Sequence, residues 1–148
     1  MRAFDIIDEH IRTAIENTIA DAEKLTSGEI RVHVEDTCEI DPVDRAFFIF
    51  GDLKMHETKD RNGVLFYLSV VDRKFAIVGD EGIHQKVGPS FWEETKALVI
   101  DHLRKGEIEQ GICQGLLHAG YALKTYFPRQ QDDANELPNS VTFKHPHT

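Results

Sequence analysis

Glu29, Asp60, Asp80 and Glu81 each stand in or beside a glycine-bearing turn: Ser27-Gly28-Glu29, Asp60-Arg61-Asn62-Gly63 and Gly79-Asp80-Glu81-Gly82. Carboxylates gathered in one place repel one another unless something positive sits among them. Arg61 is one such group. A hard divalent cation is a better one, since calcium takes about six to eight oxygens from carboxylates, carbonyls and water. Glycine lets backbone carbonyls approach closely, and Asn62 adds a neutral oxygen. The expected chemistry is oxygen coordination of calcium, with magnesium as the other candidate, by Asp60, Asp80, Glu81 and Glu29, assisted by Asn62. The same acids also suit a plainer role, as solvated turn residues or as N-caps of the helices that follow.

Other chemistries find less support. Cys38 and Cys113 are the only cysteines, and neither lies in a CxxC or CxxH pattern, so no zinc or redox motif is indicated. No GxSxG elbow, HExxH helix or GxxxxGK[ST] loop occurs. His84 follows the acidic turn and reads as a surface residue at a helix start. His145 and His147 are weak terminal ligands.

The wider composition narrows the partners. The chain has 148 residues, 41% hydrophobic and 29% charged, with a formal net charge of -9. That is the size of one domain. A phosphate backbone would be repelled by such a charge, so no nucleic acid is expected as a partner. No apolar run reaches the ~20 residues of a membrane span. Met1 to His10 has no apolar core of a signal peptide, and with two free thiols the expected location is cytoplasmic.

The acidic turns need elements to bring them together. Residues 4–25 read as one amphipathic helix, with Ile7, Ile11, Ala14, Thr18, Ala22 and Leu25 on its apolar side. Glu29 to Glu35 alternates, with Ile30, Val32 and Val34 on one face and Arg31, His33 and Glu35 on a partly exposed polar face. Asp41-Pro42 starts a helix that fades near Met55. Val64 to Val71 is the most apolar run and reads as a central strand buried on both faces. Asp72-Arg73 turns it into an antiparallel partner, Lys74 to Gly79. One helical turn near 83–87, a helix after Gly88-Pro89-Ser90 and a last helix from Ile108 to Phe127 follow. Gly111, Gly115 and Gly120 in the last helix imply close packing against the sheet.

A strand–helix–strand crossover makes the first two strands parallel. The starts of those strands and the end of the third then share one sheet edge, where the acidic turns converge. The opposite edge holds Glu35, Asp36 and Asp72. Ligands of open α/β sheets favour that carboxyl-end side, but a tight hairpin turn occupies part of it. The expected fold class is α/β, a three-layer α/β/α sandwich with a small mixed sheet over residues 1–127. Residues 128–148 form a flexible tail, with Leu137, Val141 and Phe143 as its few anchors.

Several motifs carry a family resemblance: Ser27-Gly28-Glu29-Ile30-Arg31-Val32, Asn62-Gly63-Val64-Leu65, Asp72-Arg73-Lys74, Gly79-Asp80-Glu81-Gly82-Ile83, and Gly106-x4-Gly111-Ile112. In this order and spacing, across roughly residues 5–127, they resemble the TPM domain, a family that includes a thylakoid-lumen protein linked to photosystem II repair and many bacterial proteins. The resemblance implies a compact α/β/α sandwich and divalent-metal binding, commonly of calcium, in acidic loops near the sheet edge. It places the family's acidic turn on Asp80 and Glu81, and its polar approach to the second strand on Asp60 and Asn62. Acid phosphatase activity has been proposed for plant members. Arg61 stands where many members carry Asp before the Asn-Gly pair. The expected function is thus a soluble, cytoplasmic cation-binding domain. The rivals are a metal-dependent acid phosphatase and a metal-independent module for a protein partner, a membrane-associated one among the candidates.

Overall fold

A computed structural model describes residues 2–129 and 136–143. Its elements are α1 (Ala3–Ile6), α2 (Glu9–Glu23), β1 (Glu29–Glu35), α3 (Pro42–Asp52), β2 (Gly63–Ser69), β3 (Lys74–Gly79), α4 (Glu81–Val87), α5 (Glu93–Arg104), α6 (Ile108–Lys124) and β4 (Thr142–Phe143). Local chemistry sets several of these boundaries. The Asp41 side chain accepts from Val43 N at 2.8 Å and Pro42 occupies the first turn, so α3 starts where the sequence places it. The single N-terminal helix expected from the sequence is two. Asp8 caps α2 by accepting from Ile11 N at 2.9 Å, and an N-cap has non-helical backbone, so the chain breaks there.

The sheet has strand order β3-β2-β1-β4. β1 and β2 are parallel, from Glu29 opposite Gly63 to Glu35 opposite Ser69, and β2 and β3 are antiparallel, from Val64 opposite Gly79 to Ser69 opposite Lys74. This is the mixed sheet of an α/β fold. Side chains alternate across it. Ile30, Val32, Val34, Val64, Phe66, Leu68 and Ile77 join the core formed with α2, α5 and α6. Leu65, Tyr67, Ala76 and Val78 face the other way, into a smaller core with Ala46, Ile49 and Phe50 of α3. β2 is buried along its whole length, as its unbroken apolar run requires.

The α6 glycines serve helix packing more than sheet packing. A Cβ on Gly115 would lie 2.3 Å from Val99 Cγ2 of α5 and 3.2 Å from Phe66 Cε2 of β2.

β1 departs from expectation. Its polar residues are not exposed: Glu29, Arg31, His33 and Glu35 are all buried. The reason is that β1 is an interior strand. After Pro128 the chain returns, and β4 pairs in parallel with β1, placing Thr142 opposite His33 and Phe143 opposite Val34. Leu137 and Val141 are buried, Val141 N donates to Glu16 Oε2 at 2.9 Å, and Phe143 meets Phe4 edge to face with ring centres 5.4 Å apart. Residues 136–143 of the expected tail are therefore a strap packed on the domain. His145 and His147 lie outside the described residues.

Candidate functional site

The register brings the start of β1, the start of β2 and the end of β3 to one edge, and backbone hydrogen bonds tie the three turns there. Glu29 N donates to Asn62 O at 3.2 Å, Asp80 N to Gly63 O at 2.9 Å, and Gly82 N to Arg61 O at 2.9 Å. The last contact is close enough to require glycine. A Cβ at position 82 would stand 2.3 Å from Asp60 O and 2.6 Å from Arg61 O, both backbone atoms.

The side chains are less evenly gathered than the backbone. Asp80 is buried, caps α4 by accepting from Glu81 N at 2.7 Å, and is gripped by Arg61. Arg61 Nε donates to Asp80 Oδ2 at 2.8 Å and Nη2 to Oδ1 at 2.9 Å, a two-pronged pair of high geometric quality. Glu81 Oε2 is 3.8 Å from Arg61 Nη1, and its side chain is 62% exposed. Asp60 is exposed. Asn62 is 1% exposed; its Nδ2 donates to Ser27 O at 3.2 Å, while its Oδ1 is buried without a partner. Asp80 in turn holds the Arg61 guanidinium more firmly protonated than usual.

Among the described residues, no three His, Cys, Asp or Glu side chains are already gathered to hold a metal. The donors at this edge nevertheless fit a hard cation in kind. They are all oxygens, two of the carboxylates face solvent, and one buried oxygen lacks a donor. What occupies the positive position among them is a guanidinium.

Glu29 contributes its backbone to the junction and its carboxylate elsewhere. Its Oε1 accepts from Glu136 N of the strap at 2.5 Å, and its neighbour across the α2–β1 turn is Glu23, which accepts from Ile30 N at 3.0 Å. Burial, with Glu29 close by, pushes the Glu23 carboxyl up to about 8, against the pull of the Ile30 N–H and of Arg129; Glu29 is raised as well, again chiefly by burial. Folded Glu23 thus keeps its proton until about pH 8, while the unfolded chain releases it near 4.5. Between those values the folded state binds more protons, so this group's contribution to stability falls as pH rises. Thermal melts across that window are expected to show a decline that Glu23→Gln flattens. An equal slope in the two proteins would refute the raised Glu23 carboxyl.

The opposite edge holds a network that sequence reasoning did not assemble. Glu35 is 2% exposed, and its oxygens accept from Arg45 Nε at 2.9 Å, Arg45 Nη2 at 2.6 Å and Tyr67 OH at 2.6 Å, with His33 Nε2 at 3.2 Å. Burial alone would raise its pKa, but the hydrogen bonds from His33, Arg45 and Tyr67 outweigh it and hold the carboxylate well below the usual range. Burial and the bond to Glu35 push the Tyr67 phenol up. Asp36 accepts from Ala3 N at 2.5 Å, and Asp72 from Cys38 N at 2.9 Å and from Ser69 Oγ. These acids at the carboxyl ends of the strands are consumed in holding loops and the helix α1. The alternation of charged residues along β1 was the available signal for the network, and Arg45 at the right height on α3 its completion.

Comparison with known proteins follows the same outline. Residues 3–122 match the family model described as the TPM domain. The chain is similar to the NMR structure of the BA42 protein from the psychrophilic bacterium Bizionia argentinensis, with 46% identity and a TM-score of 0.87 over 93% of this chain and 94% of that one. It also resembles the solution NMR structure of the N-terminal domain of the cg2496 protein from Corynebacterium glutamicum, with 14% identity and a TM-score of 0.60 over 96% of this chain and 83% of that one. At that identity the likeness concerns the fold alone. No curated protein matches the sequence. Among the described residues, no helix is long and apolar enough to cross a membrane.

Proposed function

This chain belongs to the TPM domain family, and from that premise we propose that it is a divalent-cation-binding domain whose site is the three-turn edge of the sheet, with calcium as its cation. The observation that carries this is Asn62 Oδ1, a buried oxygen with no donor, at the junction that also presents the exposed acids Asp60 and Glu81. A buried acceptor left unpaired costs about 1–3 kcal/mol. A bound cation and its water shell would satisfy it, and two solvent-facing carboxylates would supply charge.

Each residue then has a distinct role. Asp60 and Glu81 attract the ion from solvent. Asp80, fixed as the cap of α4, offers the carboxylate with the least freedom to lose on binding. Asn62, anchored through Ser27, offers its free oxygen. Glu29 holds the strap rather than the ion. Calcium suits such irregular turns better than magnesium, which demands near-octahedral geometry and gives up water reluctantly.

Thermal melts with calcium, with magnesium and with chelator test this. A ligand that binds only the folded state raises the melting temperature by mass action. The expected result is a rise with calcium, a smaller one with magnesium, reversal by chelator, and loss of the rise in Asp60→Ala. An unchanged melting temperature at millimolar calcium would refute the proposal.

A further inference from the structure

The turn from β2 into β3 carries three charged residues in a row, Asp72, Arg73 and Lys74. The fold uses the outer two. Asp72 Oδ2 accepts from Cys38 N at 2.9 Å, and Lys74 Nζ donates to Cys38 O at 2.7 Å, so both hold the loop after β1. Arg73 has no such task. Its side chain is exposed, and among the described residues its guanidinium makes no hydrogen bond, ion pair or ring contact. Its backbone has φ of 52°, in the left-handed region where Gly or Asn sits with less strain. The turn alone therefore gives no reason for an arginine.

Arg73 borders a cavity of about 250 Å³. The apolar walls are Leu68 and Val70 at the end of β2, Ile6 of α1, Leu103 of α5 and Ile108 of α6. Leu68, Val70 and Leu103 are buried members of the main core, so much of the cavity is preformed. Among the described lining residues, Arg73 is the only charged one. An apolar space with an unpaired guanidinium at its border complements a ligand with an apolar tail and an anionic head. The planar fork of Arg matches a carboxylate in two-pronged fashion. Size narrows the choice further. An apolar cavity of roughly 150 Å³ holds a benzene ring. In the same proportion 250 Å³ takes about ten heavy atoms, fewer than a drug-sized ligand or a peptide segment. The place also fits, since ligands of α/β sheets favour the carboxyl ends of parallel strands.

We propose that this cavity binds a medium-chain monocarboxylate, its alkyl tail between β2 and the α5–α6 turn and its carboxylate on Arg73. The proposal does not depend on the cation reading, because the two sites lie at opposite edges of the sheet.

Titration with octanoate in calcium-free buffer, followed by methyl NMR, tests it. The methyl signals of Ile6, Leu68, Val70, Leu103 and Ile108 are expected to shift together and saturably. Hexanoate, two methylenes shorter, should bind roughly tenfold more weakly. Octanol, which keeps the tail and lacks the charge, should lose at least about tenfold. Arg73→Gly should lose at least about tenfold in octanoate affinity, with a melting temperature no lower than the wild type, because glycine takes this φ without strain. Methyl signals that stay fixed at millimolar octanoate would overturn the proposal. So would equal affinity for hexanoate and octanoate, or octanoate binding in Arg73→Gly as tight as in the wild type. If Arg73→Gly fails to fold, octanol decides: binding as tight as that of octanoate refutes the Arg73 anchor, and the tenfold loss supports it.

Discussion

Replacing Arg45 with Met is expected to destabilise the protein by about 3 kcal/mol or more at neutral pH, the cost of stranding a buried charge. Glu35 is 2% exposed and its carboxylate receives two hydrogen bonds from that one guanidinium. Tyr67 and His33 remain after the change, which keeps the loss toward the lower end of what breaking a buried pair costs. Arg45 also lies over the Phe48 ring, 5.1 Å from its centre, so some of the loss is packing. The pH dependence separates the two parts. Because Glu35 is held well below its ordinary value of 4.5, its contribution is present above that pH and disappears as the carboxylate is protonated below it. The penalty of Arg45→Met should shrink accordingly on acidification, and Glu35→Gln combined with Arg45→Met should recover most of it. Urea unfolding measures all of this, and a loss below about 1 kcal/mol, as for an exposed pair, would contradict the burial of the network.

A comparable effect is expected from a single methyl group on the other edge. Gly82→Ala would put Cβ 2.3 Å from Asp60 O and 2.6 Å from Arg61 O. Neither atom is the end of a flexible side chain, so the 60–61 and 80–82 turns must separate and the Gly82 N–Arg61 O bond must lengthen or break. Overpacking of this kind costs roughly 1–3 kcal/mol. More specifically, it should abolish the calcium response, because the turns no longer share a junction. Gly51→Ala is the matched control. Nothing lies within 4 Å of a Cβ there, in the exposed part of α3, and removing a helical glycine should stabilise by about 0.5–1 kcal/mol. A Gly82→Ala protein as stable and as responsive to calcium as wild type would show that the close approach is not needed.

The sheet and its edges were legible because they follow from short-range signals and one handedness rule. The alternation of Glu29 to Glu35, the unbroken apolar run after Gly63 and the Asp41-Pro42 helix start define a crossover, and the crossover together with the Asp72-Arg73 hairpin brings residues near 28, 62 and 80 to one edge. The side-chain pairings there were not so determined. Arg61 was visible as a positive neighbour, but its two-pronged hold on Asp80 depends on a left-handed backbone that an Arg rarely adopts. Glu29 was placed among the acids by its position, yet its carboxylate turns to Glu136, 107 residues on. The burial of the β1 polar face was hidden for a similar reason. Its cover comes from β4, a two-residue strand in a proline-bearing stretch with no periodicity of its own. The break between α1 and α2 was readable in retrospect from Asp8-Glu9, a capping acid followed by an acidic first turn.

The most direct measurement is a calcium titration followed by amide NMR. If the three-turn edge takes the ion, the amides of residues 58–63 and 79–84 shift together and saturably, while those of the Glu35 network at the opposite edge stay in place. Signals in both segments that remain fixed at millimolar calcium would contradict the assignment of this edge as a cation site.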